Sequence, residues 1–105
     1  MKIIEVSEEH ILFDNGSEIT FDHHRDCCEY NYADFEQLDD IALAATFKED
    51  LIFESIENAG FRFGNKGNMH FVPCYSSQNG WYSTEVSIYY NGELKLSFGA
   101  EEDFC

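Results

Sequence analysis

Residues 70–98 read HFVPCYSSQNGWYSTEVSIYYNGELKLSF, with two Asn-Gly pairs between runs rich in Val, Ile, Tyr, Trp and Phe. Such a pair is the strongest short-range signal for a β-hairpin, because both residues tolerate the positive φ of a tight turn. The stretch therefore predicts three consecutive strands in an antiparallel meander. Pro73 has no N–H to give to a ladder, so we expect the first strand to be an edge strand or a bulged one.

The hairpin around Asn91-Gly92 can close in two ways. A two-residue loop would place the apolar residues of its two strands on opposite faces. A three-residue loop, residues 90–92, keeps them on one face and pairs Ile88 with Leu94. Since a slip of one residue turns every side chain over, burial of one face favours the three-residue loop.

Residues 1–22 predict another hairpin, with a three-residue loop at residues 14–16. That loop pairs Ile11 with Ile19 on one face and leaves His10 on the other, which is the alternation of strands with one buried face. The hairpin therefore offers one apolar face to the rest of the chain.

One helix is predicted, from Asp34 to about Ala45, because apolar residues recur there at helical spacing. Asp34 and Gln37 also stand at the N-cap and N3 positions of a capping box. Residues 51–56 predict a strand, with a second helix as the alternative, and residues 60–64 predict a further short strand. Together these elements predict an α+β fold, a single domain over residues 1–105. Its mostly antiparallel β-sheet is built from hairpins, and one α-helix packs on it.

The net charge is the strongest anomaly of the sequence. Twenty-one acids against six Lys and Arg give −15 over 105 residues, whereas a small domain needs a magnitude of only about 2–8 for solubility. Residues 1–59 hold 16 of the acids and three of the basic residues, a net charge of −13. Because like charges repel and destabilise a compact state, this excess calls for a reason.

No targeting or membrane-spanning segment is indicated. The first residues lack the apolar core of a signal peptide, and no apolar run approaches the ~20 residues that cross a bilayer. We therefore expect a cytoplasmic protein, in which the four cysteines are free thiols.

The cluster at residues 23–28 contains every ligand type that zinc accepts. It includes His23, His24, Cys27 and Cys28, but it has no Cys-x-x-Cys or His-x3-His spacing. The sequence therefore predicts no metal site and no cofactor. A metal- or thiol-based binding module centred on residues 23–28 is the alternative.

No enzymatic constellation is recognisable. Nothing in the sequence places a base beside a thiol, the carboxylates are too numerous to single out an acid–base pair, and no glycine-rich phosphate loop is present. The aromatic residues between 75 and 82 are typical of a base-stacking surface, but such a surface needs a positive groove for the backbone. We expect neither an enzyme nor direct binding to nucleic acid.

A concentrated negative surface suits a basic partner. If the acids of the first 59 residues gather on one side, their charge approaches that of duplex DNA within a factor of two. Such a surface would be drawn to the channel of a nucleic-acid-binding protein. The candidate contacts are Glu29, Asp34, Glu36, Asp39, Asp40, Glu49 and Asp50. The alternative is an adaptor whose acidic surface is inert.

Several short motifs carry a resemblance that covers nearly the whole chain. They are Asp26-Cys27-Cys28-Glu29, Tyr32-Ala33-Asp34-Phe35, Gly60-Phe61-Arg62-Phe63, Phe71-Val72-Pro73-Cys74-Tyr75 and Gln78-Asn79-Gly80-Trp81-Tyr82-Ser83. In them the chain resembles a domain-of-unknown-function family of small acidic proteins from bacteriophages and bacterial mobile elements. The resemblance implies no activity, cofactor or catalytic residue.

The resemblance does imply a biological context, since small acidic phage proteins often inhibit proteins of the bacterial host. With the charge, it predicts an interaction protein that inhibits a basic nucleic-acid-binding protein in the cytoplasm of a bacterial host. An anti-CRISPR protein that acts by DNA mimicry is one form of this prediction. No membrane partner is expected.

Overall fold

The computed structural model describes residues 1–22, 30–56, 59–78, 85–99 and 101–104. These residues contain ten strands, one 3₁₀ turn and one short helix. The strands are β1 (Ile3–Val6), β2 (His10–Phe13), β3 (Glu18–Asp22), β4 (Tyr30–Ala33), β5 (Ile52–Ile56), β6 (Gly60–Asn65), β7 (Asn68–Gln78), β8 (Glu85–Tyr90), β9 (Glu93–Gly99) and β10 (Glu101–Phe104). The 3₁₀ turn is Phe35–Gln37 and the helix, α1, is Asp40–Ala44.

The strands form two sheets. The first has the order β1-β2-β3-β8-β9, and the second has the order β10-β7-β6-β5. Strand β4 pairs antiparallel with β7, and β10 pairs parallel with it, over overlapping residues of β7. Because one stretch of β7 pairs with both, β4 and β10 lie on its opposite edges. The acidic C-terminal residues 101–104, which lie in β10, thus belong to a sheet.

The predicted α+β class is wrong, because the described residues are mostly β and contain no long helix that packs on a sheet. Between the 3₁₀ turn and α1 the backbone is extended, with ψ 134° at Leu38 and 172° at Asp39. Asp39 accepts a hydrogen bond from the Ala42 N–H and so begins a new helix. Asp favours such capping positions over helix interiors, which explains the break. In the described part of the chain, no helix is long enough to cross a membrane.

The predicted meander is also wrong, because β7 and β8 lie in different sheets. Strand β8 pairs with β3, placing Ile88 opposite Phe21, and β7 pairs with β6. The Asn-Gly pair at residues 79–80 lies outside the described residues. A turn signal is local, and it does not specify whether its flanking strands pair with each other or with strands from earlier in the chain.

Pro73 occupies a central strand, not the edge or bulged strand that was predicted. The register between β6 and β7 is unbroken at Pro73, which lies opposite Gly60. On the other edge of β7, Asp34 donates its N–H to the Pro73 carbonyl at 2.8 Å. That bond uses the one backbone hydrogen-bonding group that a proline retains, so the ladder loses little.

The last hairpin closes with two residues, not with the predicted three. Asn91 and Gly92 have φ of 51° and 81°, and the flanking residues Tyr90 and Glu93 pair. A register shift then follows, so that Ile88 pairs with Leu96 rather than with Leu94. The strands therefore keep their apolar residues on one face by a bulge in β9, a device that the turn sequence alone does not show.

Other sequence predictions are confirmed. Ile11 pairs with Ile19 across the first hairpin, and both are fully buried. Residues 52–56 form a strand, which rules out the alternative helix there. In β6, two buried phenylalanines flank the exposed Arg62, the alternation expected of a strand with one buried face.

The inner faces of the two sheets enclose one core. The ring of Phe47 lies 5.8 Å from that of Phe13 in the first sheet and 5.7 Å from that of Phe63 in the second. The Phe61 and Phe98 rings are 6.3 Å apart across the same interface. Strands β6 and β7 approach closely, since a Cβ on Gly60 would lie 2.1 Å from the Val72 carbonyl oxygen. The absence of a side chain at Gly60 therefore lets the two strands pack this closely.

Candidate acidic interaction surface

Residues 34–51, which we call the connector, join β4 to β5 and contain most of the candidate contacts. The connector is held by buried side chains, since Phe35, Ala42 and Phe47 are at most 2% exposed. Its end is fixed by backbone bonds, because Phe47 N–H donates to the Met1 carbonyl and the Met1 amine donates to the Phe47 carbonyl, each at 2.7 Å. A segment so tightly held presents its polar side chains in fixed positions.

The acids of the connector point away from the core. Five of them are exposed and Asp34 is half-buried. The exposed residues are Glu36, Asp39, Asp40, Glu49 and Asp50. Among the residues that the structure describes, none of these six carboxylates forms an ion pair with a cation. The connector therefore carries negative charge that no neighbouring cation offsets.

Three of these carboxylates accept hydrogen bonds from neutral groups. Asp34 accepts from the Gln37 amide at 2.7 Å, and Asp39 accepts from the Ala42 N–H at 2.9 Å. Glu49 accepts from the Asn15 amide at 3.2 Å. Hydrogen bonds from neutral donors orient a carboxylate without bringing an opposite charge beside it.

The structure divides the candidate acids into two groups. Asp34 and Glu36 line a cleft of about 270 Å³ together with Glu8 from the connection between β1 and β2. Glu49 instead contacts Asn15, in the turn between β2 and β3. Those two connections lie at opposite ends of β2, so the predicted contacts do not form one continuous patch.

Glu8 was not among the predicted contacts. It is an exposed acid in a short connection, and nothing local in the sequence shows that this connection borders the start of the connector. The remaining predicted contact, Glu29, lies outside the described residues. So do His23, His24, Cys27 and Cys28, the residues of the alternative metal or thiol module.

A second cleft, the His70 cleft, also measures about 270 Å³. Its lining consists of Gln37, Leu38, Asp39, Met69, His70 and Phe71. Within residues 1–22, 30–56, 59–78, 85–99 and 101–104, no three His, Cys, Asp or Glu side chains are grouped so as to hold a metal ion.

Cys74 is a buried thiol beside the start of the connector. Burial, and in second place the negative charge of Asp34, raises the pKa of Cys74 to about 12. Since only the thiolate is a nucleophile, this cysteine is chemically inert at neutral pH. Its role is to pack in the core, where it is fully buried.

Comparison with known proteins gives a family but no function. Residues 1–88 match DUF7448, a domain of unknown function. No curated protein and no solved structure is significantly similar to the chain. Because the match covers most of the 105 residues, the resemblance to an uncharacterised domain family is confirmed, and the chain belongs to the DUF7448 family.

Proposed function

We propose that this chain is an acidic interaction protein that inhibits a basic nucleic-acid-binding host protein by occupying its nucleic-acid channel. The observation that carries the proposal is the connector, which presents six carboxylates with no cation partner among the described residues. A firmly held surface needs little reordering on binding, so less of the electrostatic attraction is lost as entropy.

The charge density supports competition with DNA. The molecule measures 40 × 23 × 21 Å and carries a net charge of −15. Duplex DNA 40 Å long carries about 24 phosphate charges, at one per ~1.7 Å of axis. The two densities agree within a factor of two, and the molecule is about as wide as a double helix.

The setting follows from the resemblance seen in the sequence. The proposal places the chain in a bacterial cytoplasm, acting for a phage or mobile element, with a CRISPR nuclease as one target of the right chemistry. The inhibitor works by surface charge alone, so the proposal assigns it no catalytic residue.

The experiment has two stages. The tagged chain is first used to capture basic proteins from host lysate at low and at moderate salt. Each captured protein is then purified and bound to a labelled DNA duplex, and the chain is titrated in while the anisotropy of the label is followed. We expect the chain to release the DNA and to do so less well as the salt concentration rises, since screening weakens attraction between exposed charges.

Two charge-reversal variants locate the surface. Glu8 and Glu36, which line the first cleft, and Asp40 from the first half of the connector are all exposed, and they are changed together to Lys. In the control Glu49, Asp50 and Glu93, of which Glu93 is paired with Lys95, are changed to Lys, which alters the net charge by the same amount at the other end. Because Glu8 and Asp34 add to the charge of Glu36 at the first cleft, we expect the first variant to lose DNA displacement. The control changes two connector acids at the other end and should keep most of it.

Two results would contradict the proposal. If a partner binds the chain and its DNA at the same time, the chain is an adaptor and not an inhibitor. If no basic protein is captured at either salt concentration, the acidic surface is inert.

A further inference from the structure

We infer that the outer face of the second sheet binds a second copy of this chain, so that two copies form a weak two-fold dimer. The surface concerned, which we call the β5–β7 face, consists of the outward side chains of β5, of β6 and of the first half of β7. The inference does not depend on the proposed function, because it concerns a surface other than the connector. Pairing would hold two connectors in one particle.

The strand register shows which residues share this face, since they occupy every second position of three paired strands. They are Ile52, Glu54 and Ile56 of β5, Gly60, Arg62 and Gly64 of β6, and Met69 and Phe71 of β7. The residues that alternate with them, such as Phe61 and Phe63, are fully buried in the core. Because side chains alternate between the two sides of a sheet, the residues of the β5–β7 face point outward.

The β5–β7 face is apolar for a surface that faces water. Ile52, Ile56 and Phe71 are 41%, 37% and 43% exposed. They are three of the seven large hydrophobic side chains that are exposed in the described part of the chain. The outer side of an antiparallel sheet is usually polar, and apolar side chains gathered on one surface mark a place that another molecule covers.

The two charges on the β5–β7 face cancel each other. Arg62 Nε donates to a carboxylate oxygen of Glu54 at 2.9 Å, and both side chains are about half exposed. The face therefore has no net charge, although the chain carries −15. A basic partner gains no attraction from a neutral face. A second copy of the chain is repelled by the acidic surfaces, and it can approach most closely where the charges cancel.

A two-fold axis makes the β5–β7 face complementary to itself. Glu54 and Arg62 lie opposite each other on neighbouring strands. An axis that runs along the strands, midway between β5 and β6, places Glu54 of each copy over Arg62 of the other. The same axis places Ile52 and Ile56 over glycine positions of β6 in the other copy, where no side chain collides with them. Charge and shape are thus matched by a second copy of the chain.

The size of the face limits the affinity. Strand β5 has five residues, and at ~3.3 Å per residue and ~4.8 Å per strand the three strands cover about 16 by 14 Å. This area is well below the ~800 Å² per partner of a standard interface. We therefore expect a transient dimer with a dissociation constant between about 10 μM and about 1 mM.

Sedimentation equilibrium of the full chain measures the dimer. The dissociation constant should fall at least about tenfold between about 0.1 and 1 M salt, over which the Debye length falls from about 10 to about 3 Å. The reason is that screening weakens the repulsion between two chains of −15. Binding of a basic partner to the acidic surface should change with salt in the opposite direction, so the two associations are distinguishable.

A double variant and a matched control locate the interface. Ile52→Thr/Ile56→Thr keeps β-branched side chains but removes apolar surface from both copies, and it should weaken the dimer at least about tenfold. Ile4→Thr/Ile41→Thr makes the same changes at two exposed residues outside the β5–β7 face. This control should alter the dissociation constant less than about twofold.

A charge exchange tests the two-fold arrangement. Glu54→Arg leaves two cations on the face and Arg62→Glu leaves two carboxylates, so each variant alone should dimerise at least about tenfold more weakly than the unmodified chain. An equimolar mixture should recover the original affinity, because each cation then faces a carboxylate of the other variant. Mixing would not repair a defect in the folding of either variant.

A chain that stays monomeric up to about 1 mM at both salt concentrations would overturn the inference. Equal losses in the isoleucine variant and its control would do the same, as would a mixture no tighter than its two components. None of these results bears on the proposed function, which depends on the capture of a basic protein. If the chain stays monomeric and Ile52→Thr/Ile56→Thr abolishes capture of that protein, the face belongs to the captured protein and not to a second copy.

Discussion

The outer face of the first hairpin and the connector are both acidic, but they differ in whether a basic side chain lies beside the carboxylates. On the hairpin, His10 lies between two carboxylates, with Nε2 2.6 Å from Glu5 and Nδ1 4.0 Å from Glu18. On the connector, no described carboxylate has a cation within 4 Å. The comparison indicates where a partner is expected. The total charge matters less than the place where the chain leaves its acids without a basic side chain beside them.

The two regions also differ in how the backbone is held. The hairpin is fixed by a hydrogen-bonded ladder between β2 and β3. The connector has an irregular backbone, and apart from the backbone bonds at its end it is held by a few side chains that enter the core. Changes in the connector should therefore have effects that vary sharply from one residue to the next.

The largest effect is expected for Phe47→Ala. This side chain is 2% exposed and packs against Phe13, Phe63 and His70, so its loss should lower the free energy of unfolding by about 3–5 kcal/mol. Urea denaturation followed by tryptophan fluorescence measures the change. Ile41→Ala, on the same connector but 72% exposed, should cost less than about 0.5 kcal/mol. Similar losses for the two would show that the connector is not anchored as described.

The next effect concerns Cys74, beside the first residue of the connector. With Cys27, Cys28 and Cys105 changed to Ser, alkylation at pH 8 should be at least about a hundredfold slower in the native state than in denaturant, since each pKa unit lowers the thiolate fraction tenfold. The folded pKa of about 12 exceeds the ordinary 9.0. Burial of this thiol therefore leaves stability unchanged below pH 9.0 and lowers it progressively between pH 9.0 and about 12. Comparable alkylation rates in the two states would contradict the burial of Cys74.

A smaller effect separates two neighbouring acids. Asp39→Ala removes the side chain that caps α1 and should cost about 1 kcal/mol, whereas Asp39→Asn should be nearly neutral. Asp40→Ala has no cap to remove and should stay within about 0.5 kcal/mol. The melting temperatures of the three variants, compared with that of the unmodified chain, measure these differences. If Asp39→Ala were harmless, the broken helix would not be the reason for the shape of the connector.

The smallest effect tests the comparison of charges itself. Glu5→Gln weakens the hydrogen bond between Glu5 and His10, and it should lower stability by at most about 1 kcal/mol. Glu36→Gln removes a charge that lies in one cleft with the acids Glu8 and Asp34, so it should raise stability by a few tenths of a kcal/mol at low salt. The expected result is that Glu5→Gln lowers the free energy of unfolding and Glu36→Gln raises it. The same sign for both would mean that the two regions are electrostatically alike.

What the sequence predicted correctly was local. The alternation of apolar residues identified the pairing of Ile11 with Ile19, and it also identified β5 and β6. Each of these depends on spacing over a few residues and on one buried face.

What the sequence did not predict depends on distant contacts. The pairing of β8 with β3 joins Ile88 to Phe21, and no pattern of neighbours encodes it. The helix predicted from Asp34 breaks because Asp39 caps a second start, while Phe35 and Leu38 are still buried. The approach of Glu8 to Asp34 and the cleft beside His70 arise in the same way, from separate segments that the fold brings together.

The central claim is that the acids at the first cleft and in the first half of the connector, and not the acidity of the whole chain, make the binding surface. Its most direct test is the dissociation constant for a captured basic partner between about 0.1 and 1 M salt, over which the Debye length falls from about 10 to about 3 Å. The measurement compares Glu8→Gln/Glu36→Gln/Asp40→Asn with Glu49→Gln/Asp50→Asn/Glu93→Gln, which remove equal charge. The account predicts weaker binding and a shallower salt dependence for the first variant only. Identical salt dependence in the two variants would contradict it.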